Sequence, residues 1–221
     1  MPGWTSCERP PRAELKGRLC RLEPLRAAKH ARGLHEAYAA DTESRNWTYL
    51  PYGPFASAEE YGAVIETIED GDDVFFAIVD LADDQPTGVA SLLRAEPQMG
   101  VIEVGHLNFA PRLQGTAAAT EAMYLMMCLA FDDLGYRRYE WKCDSLNGPS
   151  RAAAERLGFV YEGTFRQAVM YKDRNRDTAW FSITDKEWPD VKAAFDVWLD
   201  PANFDENGKQ RRRLADIRQE K

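Results

Sequence analysis

The sequence predicts a single mixed α/β domain of the α+β kind: a largely antiparallel sheet with one parallel crossover, and helices on both faces. Three observations predict it. Strand-like runs at 73–80, 87–94 and 100–109 follow one another across short connections, as antiparallel neighbours do. A long apolar helical pattern then stands between two strand runs, which calls for a parallel, right-handed crossover. Amphipathic helical patterns occur near both ends of the chain, so each sheet face has cover. With 221 residues, 44% hydrophobic and 29% charged, the chain is long enough for one domain with a sizeable core.

Each element has its own justification. Residues 1–16, with Pro2, Gly3, Pro10 and Pro11, are expected as a loose arm, 17–200 as the domain, and 201–221 as a loosely held polar tail. GRLCRLEPL (17–25) alternates as a first strand, and AAKHARGLHEAYAA (27–40) spaces Ala31, Leu34, His35 and Tyr38 along one helix face. WTYLPYGPF (47–55) is broken by Pro51, Gly53 and Pro54 and reads as a loop. Ser57 and Glu60 have capping-box spacing and open a helix to about Glu69. The strands DVFFAIVD (73–80), TGVASLLR (87–94) and GVIEVGHLNF (100–109) follow. From Ala117 to Leu134 the helical pattern is apolar nearly all round, which predicts a buried helix. YRRYEWKCD (136–144) is a strand; Pro149 starts a short helix and Gly158 ends it. FVYEGTFRQAVMYK (159–172) and DTAWFSIT (177–184) form a hairpin across the turn DRNR, and DKEWPDVKAAFDVWLD (185–200) is a last amphipathic helix.

Composition narrows the function. A formal net charge of -8 weighs against a nucleic-acid partner and mildly favours a cationic one such as an amine. No run is long enough to span a membrane and no signal-peptide core opens the chain, so a cytoplasmic protein without a membrane partner is expected. Four scattered cysteines and three histidines lack the spacing of a disulfide framework or a metal site, so no metal is expected.

The stretch RLQGTAAATEAM (112–123) joins a strand to the buried helix with only small side chains at its centre. The first N–H groups of a helix have no internal partner and carry partial positive charge, so a phosphate fits there if nothing shields the backbone. Small residues also permit tight helix–sheet packing, and this feature alone does not choose between the two.

Further residues appear in order around it: Glu103 and Gly105, Thr120-Glu121-Ala122, Phe131, Asn147, Ser150 and the pair Gly158-Phe159. With them, the segment from Phe75 to about Ala179 resembles the GCN5-related N-acetyltransferase (GNAT) superfamily, in particular its ribosomal-protein-acetyltransferase-like branch. The resemblance implies a single GNAT domain that moves an acyl group, acetyl in the first instance, from acetyl-CoA to a primary amine by direct attack. It implies a pyrophosphate on N–H groups of Gln114, Gly115, Thr116, Ala117, Ala118 and Ala119, and the main chain near Leu107 and Phe109 paired with the pantetheine arm. Asn147 would bond the pantetheine amide and Ser150 the thiol sulfur. The superfamily's loop fits either as Arg112-x-x-Gly115-x-Ala117 or as Gln114-x-x-Ala117-x-Ala119; Thr120-Glu121-Ala122 favours the second. The tyrosine acid of many members falls at Ala154 and is absent.

Glu103 is the first candidate base, acting directly or through water, because a mid-strand carboxylate is costly unless used or paired. His106 is the runner-up; strict alternation puts it on the opposite face from Glu103. Trp47, Tyr49 and Tyr52 either wall the acceptor pocket, as the resemblance implies, or cover the core. Lys142 and Asp144 share a parity and either face the acceptor or pair with neighbours. Cys143 has no base near it in sequence and is not needed for direct transfer. The alternatives are a catalytically silent acyl-CoA binder and an interaction module of the same fold. The acceptor, a small molecule or a protein N-terminus, is not legible, and a homodimer is left open.

Overall fold

The computed structural model describes residues 3–220. Its strands are β1 (Leu15–Lys16), β2 (Cys20–Pro24), β3 (Val74–Asp80), β4 (Gln85–Glu96), β5 (Val101–Phe109), β6 (Arg138–Asp144), β7 (Val160–Tyr171) and β8 (Arg174–Thr184). Its helices are α1 (Ala27–Tyr38), α2 (Ala58–Ile68), α3 (Ala117–Cys128), α4 (Gly148–Leu157), α5 (Trp188–Leu199) and α6 (Leu214–Gln219). The strands form one sheet in the order β1-β2-β3-β4-β5-β6-β8-β7. Only β5 and β6 are parallel, and α3 makes the crossover between them.

Alternation along β3 and β4 builds a core on each face. Phe75, Ala77 and Val89 pack with α1 and α2, while Phe76, Ile78 and Ala90 pack with α3 and α5. Cover on both faces is why β3 is apolar without a break. The buried α3 runs on into a π turn at Leu129–Asp133. The Glu121 carboxylate accepts the amides of Arg18, Leu19 and Cys20 at 3.0, 2.7 and 2.9 Å, which ties α3 to the turn before β2. A Cβ on Gly17 would lie 2.4 Å from Glu121 Oε2, so that turn requires glycine.

Three segments differ from expectation. The N-terminal arm is fastened: Trp4 Nε1 donates to Gln98 O at 2.9 Å, Cys7 N to Pro97 O at 3.1 Å, and Arg12 Nε to Glu69 O at 3.1 Å. Residues 1 and 2 of that arm lie outside the described residues. The tail also folds: Leu214 and Ile217, one helical turn apart, bury themselves in the main core as α6. The β7–β8 turn is tighter than DRNR. It holds only Lys172 and Asp173, with φ of 48° and 55°, so Arg174 already pairs with Tyr171. Positive φ at both central residues suits the twist of a two-residue hairpin.

Candidate active site

β5 and β6 pair only from Val101–Arg138 to Val104–Trp141, although β5 continues to Phe109 and β6 to Asp144. Beyond Val104 the strands part. On its other side β5 carries a bulge: His106 and Leu107 together oppose Ala90, between the pairs Ser91–Gly105 and Val89–Asn108. His106 takes a left-handed φ of 49° there. A cavity of about 1680 Å³ opens along the parted strands and reaches the start of α3.

The bulge corrects the parity expectation. An inserted residue shifts the alternation, so His106 lies on the face of Glu103 rather than opposite it. Its ring stacks on Tyr52 at 5.6 Å and sits 5.0 Å from Phe75, and both His106 and Glu103 line the cleft. Tyr52 Oη bonds His106 Nδ1 at 3.0 Å, and burial pulls the imidazole below its ordinary pKa.

At the start of α3 the amides divide into two sets. Gln114 N and Thr116 N donate to the carbonyls of Ala110 and Leu113 at 3.2 and 3.3 Å, and Ala119 N donates to the capping Thr116 Oγ1 at 3.1 Å. The N–H groups of Gly115, Ala117 and Ala118 have no acceptor among the described residues. Gly115 has φ 73°, and a Cβ added there would meet nothing within 4 Å, so its backbone conformation rather than crowding favours glycine. Gln114 lines the cleft, and its Nε2 donates to Phe109 O at 2.8 Å; Arg112 instead pairs with Asp83 at the surface. Asn46 Nδ2 also donates to Phe109 O at 2.8 Å, so of the two main-chain positions expected to meet an extended ligand, Phe109 has a carbonyl already engaged, and Leu107 lies in the bulge.

Across the cleft, Asn147 caps α4, its Oδ1 accepting from Ser150 N at 3.1 Å. Ser150 Oγ accepts from Trp141 Nε1 at 3.0 Å and lies within hydrogen-bond reach of the Cys143 sulfur on the same wall. Cys143 lines the same wall, but burial raises its thiol pKa, which disfavours a thiolate.

Glu103 is 4% exposed. Its Oε2 accepts from Arg94 Nη1 and Lys142 Nζ, each at 2.8 Å, while Oε1 has no partner among the described residues. Lys142 also reaches Glu140 at 2.8 Å and lies 3.9 Å from the Trp180 ring centre. Asp144 accepts from Tyr171 Oη at 2.8 Å and Leu146 N at 2.9 Å. Both Lys142 and Asp144 therefore line the cleft and pair with neighbours. Tyr49 lines it too and donates to Leu146 O at 3.1 Å. Trp47 does not line it. It is buried among Tyr38, Phe55 and Tyr61 at 5.1, 5.3 and 5.8 Å, beneath the wall it was expected to form, and Tyr52 stands behind His106.

Pattern reading missed several residues. Arg94 has a left-handed φ of 48° beside a register shift, one residue past Leu93, the sheet partner of Glu103, so its side-chain contact with Glu103 is invisible to strand periodicity. Lys172 Nζ donates to the carbonyls of Trp47 and Gly53 at 2.8 and 3.0 Å, and Arg174 Nη2 to Thr48 O at 2.9 Å, which fastens the hairpin tip to the aromatic loop. Asn108, on the cleft wall, keeps both polar side-chain atoms buried with no partner among the described residues. No sequence signal marks either contact. Among the described residues no group of side chains could hold a metal ion, and no helix is long and apolar enough to cross a membrane.

Residues 19–160 match the family model for the acetyltransferase (GNAT) domain. A GCN5-related N-acetyltransferase from Brucella melitensis is 44% identical with a TM-score of 0.97, covering 99% of this chain and 100% of that one. A GNAT-family protein from Chromobacterium violaceum ATCC 12472 is 40% identical with a TM-score of 0.79, covering 86% and 94%. The protein named "Putative ribosomal N-acetyltransferase YdaF" from Bacillus subtilis (strain 168) is 28% identical over 112 residues, 51% of this chain, and that match spans only 61% of the curated relative. The fold and motif order seen in the sequence thus meet one family in the matching domain model and in both solved relatives: the chain belongs to the GNAT acetyltransferase family.

Proposed function

We propose that this chain is an enzyme that transfers an acetyl group from acetyl-CoA to a primary amine by direct attack on the thioester. Acyl transfer from acetyl-CoA is the family's general chemistry. One observation carries the reading to this chain: a single cleft joins the parted strands β5 and β6 to three unaccepted amides at the start of α3. Such amides suit a diphosphate, and a strand with one open side suits an extended amide-bearing arm.

The thioester arrives already activated. The chain's task is to place the amine and to move two protons. As the amine nitrogen bonds the carbonyl carbon, a base takes its proton; the C–S bond breaks and the departing sulfur takes a proton to leave as a thiol. Glu103 Oε1 is the base, directly or through a water, while Arg94 and Lys142 fix the other oxygen. Ser150 Oγ donates toward the sulfur, oriented by Trp141. Tyr49, Lys142 and Asp144 wall the acceptor side. His106 is a second reading for the base, because the bulge brings it to the same face and burial lowers its pKa. Four unpaired cysteines suit a reducing compartment, and a cytoplasmic location belongs to the proposal.

Thermal shift with acetyl-CoA, followed by thiol release with a panel of small amines and N-terminal peptides, tests the reading. We expect stabilisation by the thioester and turnover with at least one amine. Stabilisation without turnover across the panel makes the chain a silent acyl-CoA binder. No stabilisation by acetyl-CoA or succinyl-CoA removes the ligand altogether.

A further inference from the structure

The cleft does not stop at the amides of α3. It continues to a loop near the C-terminus, where Phe204, Gly208, Lys209 and Gln210 form its edge, beyond the matched family segment 19–160. A chain of contacts connects the two places. Arg156 Nη2 donates to Thr120 Oγ1 at 3.1 Å, one helical turn past Ala117. The Arg156 guanidinium lies 5.2 Å from the Trp198 ring centre. Trp198 meets Phe204 edge-on at 5.2 Å and donates from Nε1 to Gln210 Oε1 at 2.7 Å.

The loop is built rather than draped. Asn203 is buried and ties its two ends together, accepting Arg212 N at 2.9 Å and donating to Trp198 O at 3.0 Å. Inside the loop, Lys209 N donates to Asp205 Oδ1 at 2.8 Å, and Asp205 N to Lys209 O at 3.0 Å. Two cations face this end of the cleft. Arg156 has no carboxylate partner among the described residues, although hydroxyl and ring contacts fix its position. The Lys209 ammonium makes no ion pair within 4 Å among the described residues, and its one charged neighbour is the Asp205 carboxylate, whose Oδ1 is already engaged by the Asn207 and Lys209 amides. In a chain of net charge -8, a fixed, anion-free guanidinium lining the same cleft as a lysine marks a place for an anionic ligand.

We propose that Arg156 and Lys209 bind the 3′-phosphate of coenzyme A, and that the loop from Phe204 to Gln210 is the edge against which its adenosine lies. The inference rests on the acetyl-CoA reading above. With the diphosphate on Gly115, Ala117 and Ala118, the pantetheine arm follows β5 toward Glu103. The adenosine then has the opposite end of the cleft, where these two cations stand. They make the 3′-phosphate a specificity element of the ligand rather than a solvent-facing appendage.

Calorimetry with coenzyme A and with dephospho-coenzyme A tests this on the full chain, alongside Arg156→Gln and Lys209→Gln. A charge-assisted contact predicts that the unaltered chain prefers the phosphorylated form by about ten- to hundredfold. Each substitution should narrow that ratio and leave the affinity for the dephospho form nearly unchanged. Lys209 is exposed, so its substitution leaves the packing of Trp198 untouched and keeps the test valid if Arg156→Gln destabilises the chain. A ratio that both substitutions leave unchanged, or equal affinity for the two ligands in the unaltered chain, overturns this inference alone. Failure of both ligands to bind the unaltered chain removes the proposed function and this inference with it.

Discussion

The two ends of β5 differ in what they have left to give. From Val101 to Val104 the strand is paired on both sides, and Glu103 within it holds Arg94 and Lys142. From Gly105 to Phe109 β4 is its one strand partner among the described residues, the backbone bulges at His106, and the Asn108 side chain lacks any partner among them. Buried polar groups are normally satisfied, and places where they are not are expected at functional sites. The closed end keeps the sheet together. The open end, with the amides of Gly115, Ala117 and Ala118 beside it, is where the acetyl-CoA we propose would complete the bonding.

Substitutions can break or sharpen that contrast. The largest effect is expected at the boundary between the two ends. Glu103→Gln should lower kcat by about 10²–10⁴, the usual worth of a positioned base, with little change in KM for acetyl-CoA. His106→Phe should lower it less; steady-state kinetics giving the reverse order would move the base to His106. Next is Ala117→Pro. Ala117 is the first residue of α3, and Thr116 before it is extended at φ -89° and ψ 164°, so proline fits without disturbing the helix. It deletes one unaccepted N–H and should weaken acetyl-CoA binding by about tenfold in calorimetry, with a near-constant Tm.

A smaller effect is expected at Asn108. Replacing an unsatisfied buried amide by Asn108→Leu should raise stability by about 1 kcal/mol in denaturant unfolding. A loss of stability would mean that the amide is satisfied after all. The smallest effect is a pH dependence. Burial lowers the pKa of His106 from 6.5 in the folded chain, so below that value the unfolded chain binds the proton first. This group's contribution to stability should therefore fall as pH drops from 6.5 toward the depressed value. His106→Phe should remove that part of the slope in thermal unfolding.

Much of this was legible in the sequence because period and punctuation suffice for it. The uninterrupted run of β3, the capping residue Ser57, Pro149 in the first turn of α4, and the terminating Gly158 each announce their element. The small residues at 115–119 mark the junction, and the spaced motifs around them give the family. What was not legible depends on broken periods and single anchors. A bulge at His106 reverses the faces that alternation assigns, and the left-handed Arg94 does the same near Glu103. The arm and tail look loose by composition, yet Trp4, Arg12, Leu214 and Ile217 each fasten them. Trp47 lies in a loop rich in aromatics, and nothing local tells a core tryptophan from a pocket wall.

The central claim is that the open end of β5 and the adjoining amides of α3 together hold acetyl-CoA. Amide resonances in a titration with acetyl-CoA test it most directly. The account predicts that Gly115, Ala117 and Ala118 shift most, followed by residues of 105–109, while Val101–Val104 stay nearly still. Saturable binding that leaves Gly115, Ala117 and Ala118 unmoved would contradict it.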